Sequence, residues 1–127
     1  IRVVVAEKDT ATFDSGVVHP FYATFALARD AEWCGRLFVL DIVEEDEEGI
    51  GTFVHIEHLS PALLGEEVQF IAELMELNGN EVVCKVDAFV GSRQIARCKT
   101  GQKVLKRKRI EAIEEAIQSG KEKTTRK

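Results

Sequence analysis

No Cys-x-x-Cys pair occurs in this 127-residue chain, and its three cysteines, Cys34, Cys84 and Cys98, are an odd number set far apart. That removes support for zinc-ribbon and dithiol redox readings. Each cysteine lies in an apolar run, so buried, reduced thiols are expected, which fits a reducing cytosol. Positive charge is in deficit: 17 Lys and Arg stand against 22 Asp and Glu, a net charge of -5. A general nucleic-acid binder would carry a basic domain, so no nucleic-acid partner is expected. No run of about 18 uncharged apolar residues exists, so no membrane-spanning helix and no membrane partner are expected. No signal peptide is visible, and the expected location is cytoplasmic. The length predicts one domain over residues 1–127. A chain of this size buries about two-thirds of its unfolded surface and needs no disulfide or metal staple.

What the chain does have is a long apolar stretch from Phe21 to Val43. It is too long for one strand, and its apolar residues recur almost all the way round a helical wheel. The pattern predicts a central helix enclosed by the rest of the chain. Arg29, Asp30, Glu32, Arg36 and Asp41 interrupt it. Glu32 sits in its middle, between Ala31 and Trp33, where a carboxylate needs a partner or a raised pKa. Before it, Arg2 to Ala6 reads as a strand and Glu7 to Gly16 as loop or ragged strand. Pro20 suits the first turn of the helix, where its missing N–H is not needed. The acidic run Glu44 to Glu48 reads as a solvated turn.

After Gly49 the period changes to two. In Ile50 to Ser60 the even positions hold the aliphatic residues and predict the core face, with Pro61 ending the strand. Glu66 to Leu77 and Glu81 to Val90 read as strands joined at Asn78-Gly79-Asn80, a strong hairpin signal. Gly91-Ser92 leads into a fourth strand, Arg93 to Leu105. An antiparallel meander is the economical topology. Ile110, Ile113 and Ile117 share one face of a C-terminal helix that follows the basic run Lys106 to Arg109. The expected class is α+β: a long helix covered by an antiparallel sheet over about 3–105, with a helix and tail over 106–127. Phe53, Ile71, Phe89 and Ile95 are expected on the outer face of the sheet, which predicts a homodimer or higher oligomer.

Alternation turns His58 towards the helix and His55 away, while His19 lies in the segment before the helix. An inward histidine and a helix-borne glutamate make an acid–base pair, and a core histidine bonded to a backbone carbonyl is the competing reading. Thr24 lies eight positions before Glu32, about 12 Å along a helix axis, so the two cannot touch within one helix. Thr24 is read as a helix-start residue, and it can act only if it precedes the helix or meets a second Glu32 across a dimer interface.

Val18 to Trp33, with Ala23-Thr24 and Ala31-Glu32-Trp33, then Gly51-Thr52 and Ile56-Glu57-His58-Leu59-Ser60-Pro61, resembles the fluoroacetyl-CoA thioesterase-like branch of the hot-dog superfamily. Glu7-Lys8-Asp9-Thr10-Ala11 is similar too, and the resemblance covers about 3–105. It implies the hot-dog fold, paired sheets in a homodimer, and acyl-CoA sites at the interface. It also implies Thr24, Glu32 and His58 as the catalytic set, with the Thr-to-Glu and Gly-Thr-to-His spacings matching the family's. Hydrolysis of a short or small acyl-CoA is then expected, with no metal or cofactor and with coenzyme A as part of the substrate. Backbone amides at the helix start or near Gly51 would meet the oxyanion, and Phe25 and Trp33, with Phe21, would set pocket depth. Two other readings stand beside it. One is a non-catalytic acyl-CoA sensor. The other is an enoyl-CoA hydratase, whose Asp-to-His spacing Asp14 and His19 share without its Asn-Pro. A Cys34 nucleophile lacks an adjacent base.

Overall fold

The computed structural model of the chain describes residues 1–13 and 16–123; Asp14, one half of the hydratase-type pair, and the tail 124–127 lie outside them. The elements run β1 (Arg2–Val4), a 3-10 turn (Glu7–Asp9), β2 (Thr10–Phe13), β3 (Gly16–Tyr22), α1 (Thr24–Leu40), β4 (Glu47–His58), β5 (Glu67–Asn78), β6 (Glu81–Val90), β7 (Arg93–Lys106) and α2 (Arg107–Lys123). The main sheet is five-stranded, in the order β1-β5-β6-β7-β4, and β2 and β3 form a separate hairpin. Every pairing is antiparallel. The α+β architecture, a long helix against an antiparallel sheet plus a C-terminal helix, is thus as expected. Helix α1 lies on one face of the sheet and buries Ala26, Leu27, Ala31, Cys34 and Val39 against Phe70, Val82, Cys84, Val86, Ala96 and Cys98. Each large aliphatic or aromatic side chain so buried contributes about 1.5–3 kcal/mol. Gly35 permits the close approach: a Cβ there would stand 2.5 Å from the Thr100 hydroxyl oxygen.

Several expectations need correction. First, α1 begins at Thr24, not Phe21, and Pro20 lies in β3. The Tyr22 amide donates to Ala62 (2.8 Å) and the Pro20 carbonyl accepts from Leu64 (3.2 Å), so non-local pairing overrides the apolar run. Second, α1 is not enclosed: Phe25, Trp33 and Leu40 are 55%, 48% and 44% exposed, so about one side of the helix lacks cover. Third, the four long strands are not a simple meander. β5, β6 and β7 are consecutive hairpins, but β4 pairs with β7 and has no strand on its other edge among the described residues. Fourth, alternation in β4 breaks at a bulge between Gly51 and Phe53. Gly49 and Gly51 face the helix before it, and the partly buried Val54, Ile56 and His58 follow it. One extra residue exchanges the faces of a strand, so Ile50 is not a core residue. A register shift near Phe89 likewise accompanies Ile95, which is fully buried rather than outward.

Candidate active site

The first residue of α1, Thr24, meets the last residue of β4, His58, with 3.3 Å between the hydroxyl oxygen and Nδ1. They share the wall of an open cleft of about 600 Å³ with Phe21, Tyr22, Phe25 and Leu59. Burial pushes the His58 pKa below the ordinary histidine value, and the Ser60 backbone works in the opposite direction. His58 Nε2 is buried and has no hydrogen-bond partner among the described residues. The ring is therefore neutral near pH 7, able to accept or donate a proton.

The helix start is bare. Ala23 is the N-cap and offers no side-chain hydrogen bond. The first intrahelical amide bond is from Leu27 to Ala23, which leaves the amides of Thr24, Phe25 and Ala26 without carbonyl partners in the helix. These amides lie at the positive end of the helix dipole, in the turn that carries Thr24.

An ionic network of two buried carboxylates and the half-exposed Arg29 fixes that helix start. Asp9 is 2% exposed and Asp30 9%. Arg29 Nη2 donates to Asp9 at 2.9 Å and to Asp30 at 3.1 Å, and Nε donates to Asp30 at 3.0 Å. The Tyr22 hydroxyl donates to Asp30. The Ala23 amide donates to the Asp9 carbonyl at 2.8 Å. Burial, and then the Asp30 carboxylate, push the Tyr22 phenol far above its ordinary pKa, so it remains a donor. Both carboxylates raise the pKa of Arg29, which remains charged. The network joins the 3-10 turn, β3 and α1 just before Thr24.

Glu32 stands elsewhere. Its carboxylate rests on Gly51, where an added Cβ would lie 2.8 Å from Oε2 and 3.5 Å from Cδ. Glu32 is exposed and has no hydrogen-bond or ion-pair partner among the described residues. Gly51 and His58 are seven residues apart on β4, about 20 Å of strand. Within one chain the structure therefore forms two groups, Thr24 with His58 and Phe25, and Glu32 with Gly51. Trp33, half-exposed on α1, belongs to neither lining. The sequence reading missed the Asp9–Arg29–Asp30–Tyr22 network and gave His19 no part in this cleft. Adjacent Arg29 and Asp30 inside an apolar helix were the available signal for the network. For His19 the sequence holds none, because the apolar run from Phe21 makes the preceding segment look like an approach to the helix. Among the described residues no group of His, Cys, Asp and Glu is placed to hold a metal, and no helix is long and apolar enough to cross a membrane.

A family model described as fluoroacetyl-CoA-specific thioesterase matches residues 5–108. Among solved structures, a hypothetical protein of Thermus thermophilus described as a thioesterase superfamily member is 34% identical, with a TM-score of 0.89 over 96% of this chain and 90% of that one. A variant of the fluoroacetyl-CoA-specific thioesterase FlK, solved with fluoroacetate and CoA, is 20% identical, with a TM-score of 0.80 over 91% and 95% of the two chains. A hot-dog-like protein from Thermanaerovibrio acidaminovorans is also 20% identical, with a TM-score of 0.80 over 88% and 83%. No curated protein matches the sequence.

Proposed function

The chain belongs to the fluoroacetyl-CoA-specific thioesterase family, and from that premise we infer that it hydrolyses acyl-CoA thioesters to a free acid and coenzyme A. The observation that carries this reading is the Thr24–His58 contact beside an uncapped helix start in an open cleft. A short or small acyl group suits a cleft narrowed by Phe21 and Phe25.

The working unit is a homodimer formed along the free edge of β4. Three features support it: the unpaired edge of a 12-residue strand, the exposed Phe25, Trp33 and Leu40 on α1, and the separation of Glu32 from His58. Antiparallel pairing of β4 with its copy about a two-fold axis between Val54 and His55 sets Gly51 beside the partner's His58. The partner's Glu32 then completes each Thr24–His58 site. It takes a proton from water, whose oxygen attacks the thioester carbonyl. The free amides at the helix start hold the oxyanion. As the carbonyl re-forms, the C–S bond breaks and the thiolate leaves. The protonated carboxylate passes its proton to His58, held by Thr24, and the imidazolium so formed gives it to the sulfur. Direct carboxylate attack through a mixed anhydride uses the same groups, and a single turnover in isotopically labelled water separates the two paths by where the label appears.

The test is thiol release from a panel of acyl-CoAs, comparing the native chain with Glu32→Ala and His58→Ala. Folded variants that have lost turnover are expected. CoA esters that bind without being hydrolysed would make the chain a sensor instead.

A further inference from the structure

We propose that His19 is a fixed hydrogen-bond donor of the cleft, selecting substrates that present a carbonyl-type oxygen to its outer wall. This rests on the acyl-CoA reading of the same site. The Phe21 amide donates to His19 Nδ1 at 3.3 Å. The ring also lies against the Phe21 ring, with centroids 5.1 Å apart and planes inclined by 40°. An imidazole whose Nδ1 accepts a backbone N–H carries its proton on Nε2 and presents it outward. The strand holds the ring in place, since the residue at 19 pairs with Ala11 in the hairpin.

The cleft's other polar side chains are differently committed. Tyr22 donates to Asp30, and Thr24 and His58 are bound to each other. The Ser60 hydroxyl carries no bond among the described residues, but it turns freely and can donate or accept. His19 therefore offers the cleft's one donor fixed by both a backbone bond and a ring contact among the described residues, within an apolar surround of Phe21, Phe25, Leu59 and Pro61. A few placed polar groups in an apolar pocket are what set orientation and specificity. An acyl-CoA has two sources of such an oxygen: a substituent on the acyl chain, and the amides of the pantetheine arm.

Two measurements test the assignment. Long-range proton–nitrogen spectra of the histidine rings should show His19 with a protonated Nε2 and a bare Nδ1, identified by loss of the signal in His19→Phe. A bare Nε2 overturns the proposal whatever the protein hydrolyses. For turnover, His19→Phe keeps an aromatic ring and removes the donor. Its kcat/KM is compared with the native value on butyryl-CoA, acetoacetyl-CoA and S-ethyl thiobutyrate, which lacks the pantetheine arm. A loss of about 3- to 10-fold, the worth of one neutral hydrogen bond, confined to acetoacetyl-CoA assigns the acyl oxygen. The same loss on both CoA esters but not on the ethyl ester assigns the pantetheine arm. No loss, or an equal loss on all three, overturns the proposal. If the native chain hydrolyses none of them, the thioesterase reading has failed on its own account. Calorimetric affinities for the two CoA esters then decide on His19, and equal values for native and variant overturn it.

Discussion

Gly51→Ala should impair the enzyme without harming the fold. A Cβ at this position would stand 2.8 Å from Glu32 Oε2, where ordinary contact begins at 3.4 Å, so the carboxylate must retreat by about 0.6 Å. The atom displaced is the far end of an exposed, flexible side chain, so the packing cost is small. Gly51 is not among the glycines of positive φ, and alanine is the better strand residue by about 0.5–1 kcal/mol. Unfolding midpoints should therefore stay level or rise slightly. Activity should not, because a reacting group misplaced by about 1 Å can lose on the order of 100-fold in rate. A fall in kcat/KM of about 10- to 100-fold is expected in a thiol-release assay. Because the effect runs through Glu32, the double variant Gly51→Ala/Glu32→Ala should be no slower than Glu32→Ala alone. Native turnover in Gly51→Ala, or a double variant much slower than Glu32→Ala, would refute the placement of Glu32 at the reacting centre.

His58 carries a pH signature. Its folded pKa lies below 6.5 through burial, so the unfolded chain binds more protons as pH falls through about 6.5. Stability should therefore decline from about pH 6.5 downward until His58 protonates in the fold, and His58→Gln should flatten that part of a denaturation series. Tyr22→Phe takes a donor from the buried Asp30 carboxylate and should cost about 1–3 kcal/mol, read from urea unfolding. His55→Pro, on the free-edge strand with its side chain exposed, should halve the mass measured by light scattering and abolish turnover together. Monomers with full activity would remove the role of the partner's Glu32.

The parts of the fold that were legible in sequence are those governed by local pattern. Strand alternation in β6 and the Asn78-Gly79-Asn80 turn follow from short-range periodicity and turn chemistry, and the structure has both. The errors fall where long-range pairing decides. Phe21 and Tyr22 look helical by hydrophobicity, yet the segment at 62–64 recruits them into a strand. The bulge beyond Gly51 leaves no composition signal, although it decides that Gly51 rather than Ile50 faces α1. In the candidate site, His58 was legible because it lies after the bulge, where the even positions do face inward. The distance between Glu32 and Thr24 was legible from helix rise alone. That Glu32 rests on Gly51 was not, because it depends on how α1 crosses β4. The apolar all-round pattern of the helix does not by itself report burial: Phe25, Trp33 and Leu40 stay exposed in the single chain.

Ala23 sets a limit on how far this protein can be stabilised. A serine or aspartate at that N-cap would accept a hydrogen bond from the second or third amide of α1 and strengthen the helix by about 1 kcal/mol. The same bond would consume a first-turn amide that the proposed mechanism assigns to the oxyanion. An aspartate would also set a negative charge against any negative charge developing on a bound carbonyl. Evolution towards heat tolerance would thus have to find its gains elsewhere, on α2 or in the surface loops, while leaving this helix less stable than its sequence could make it.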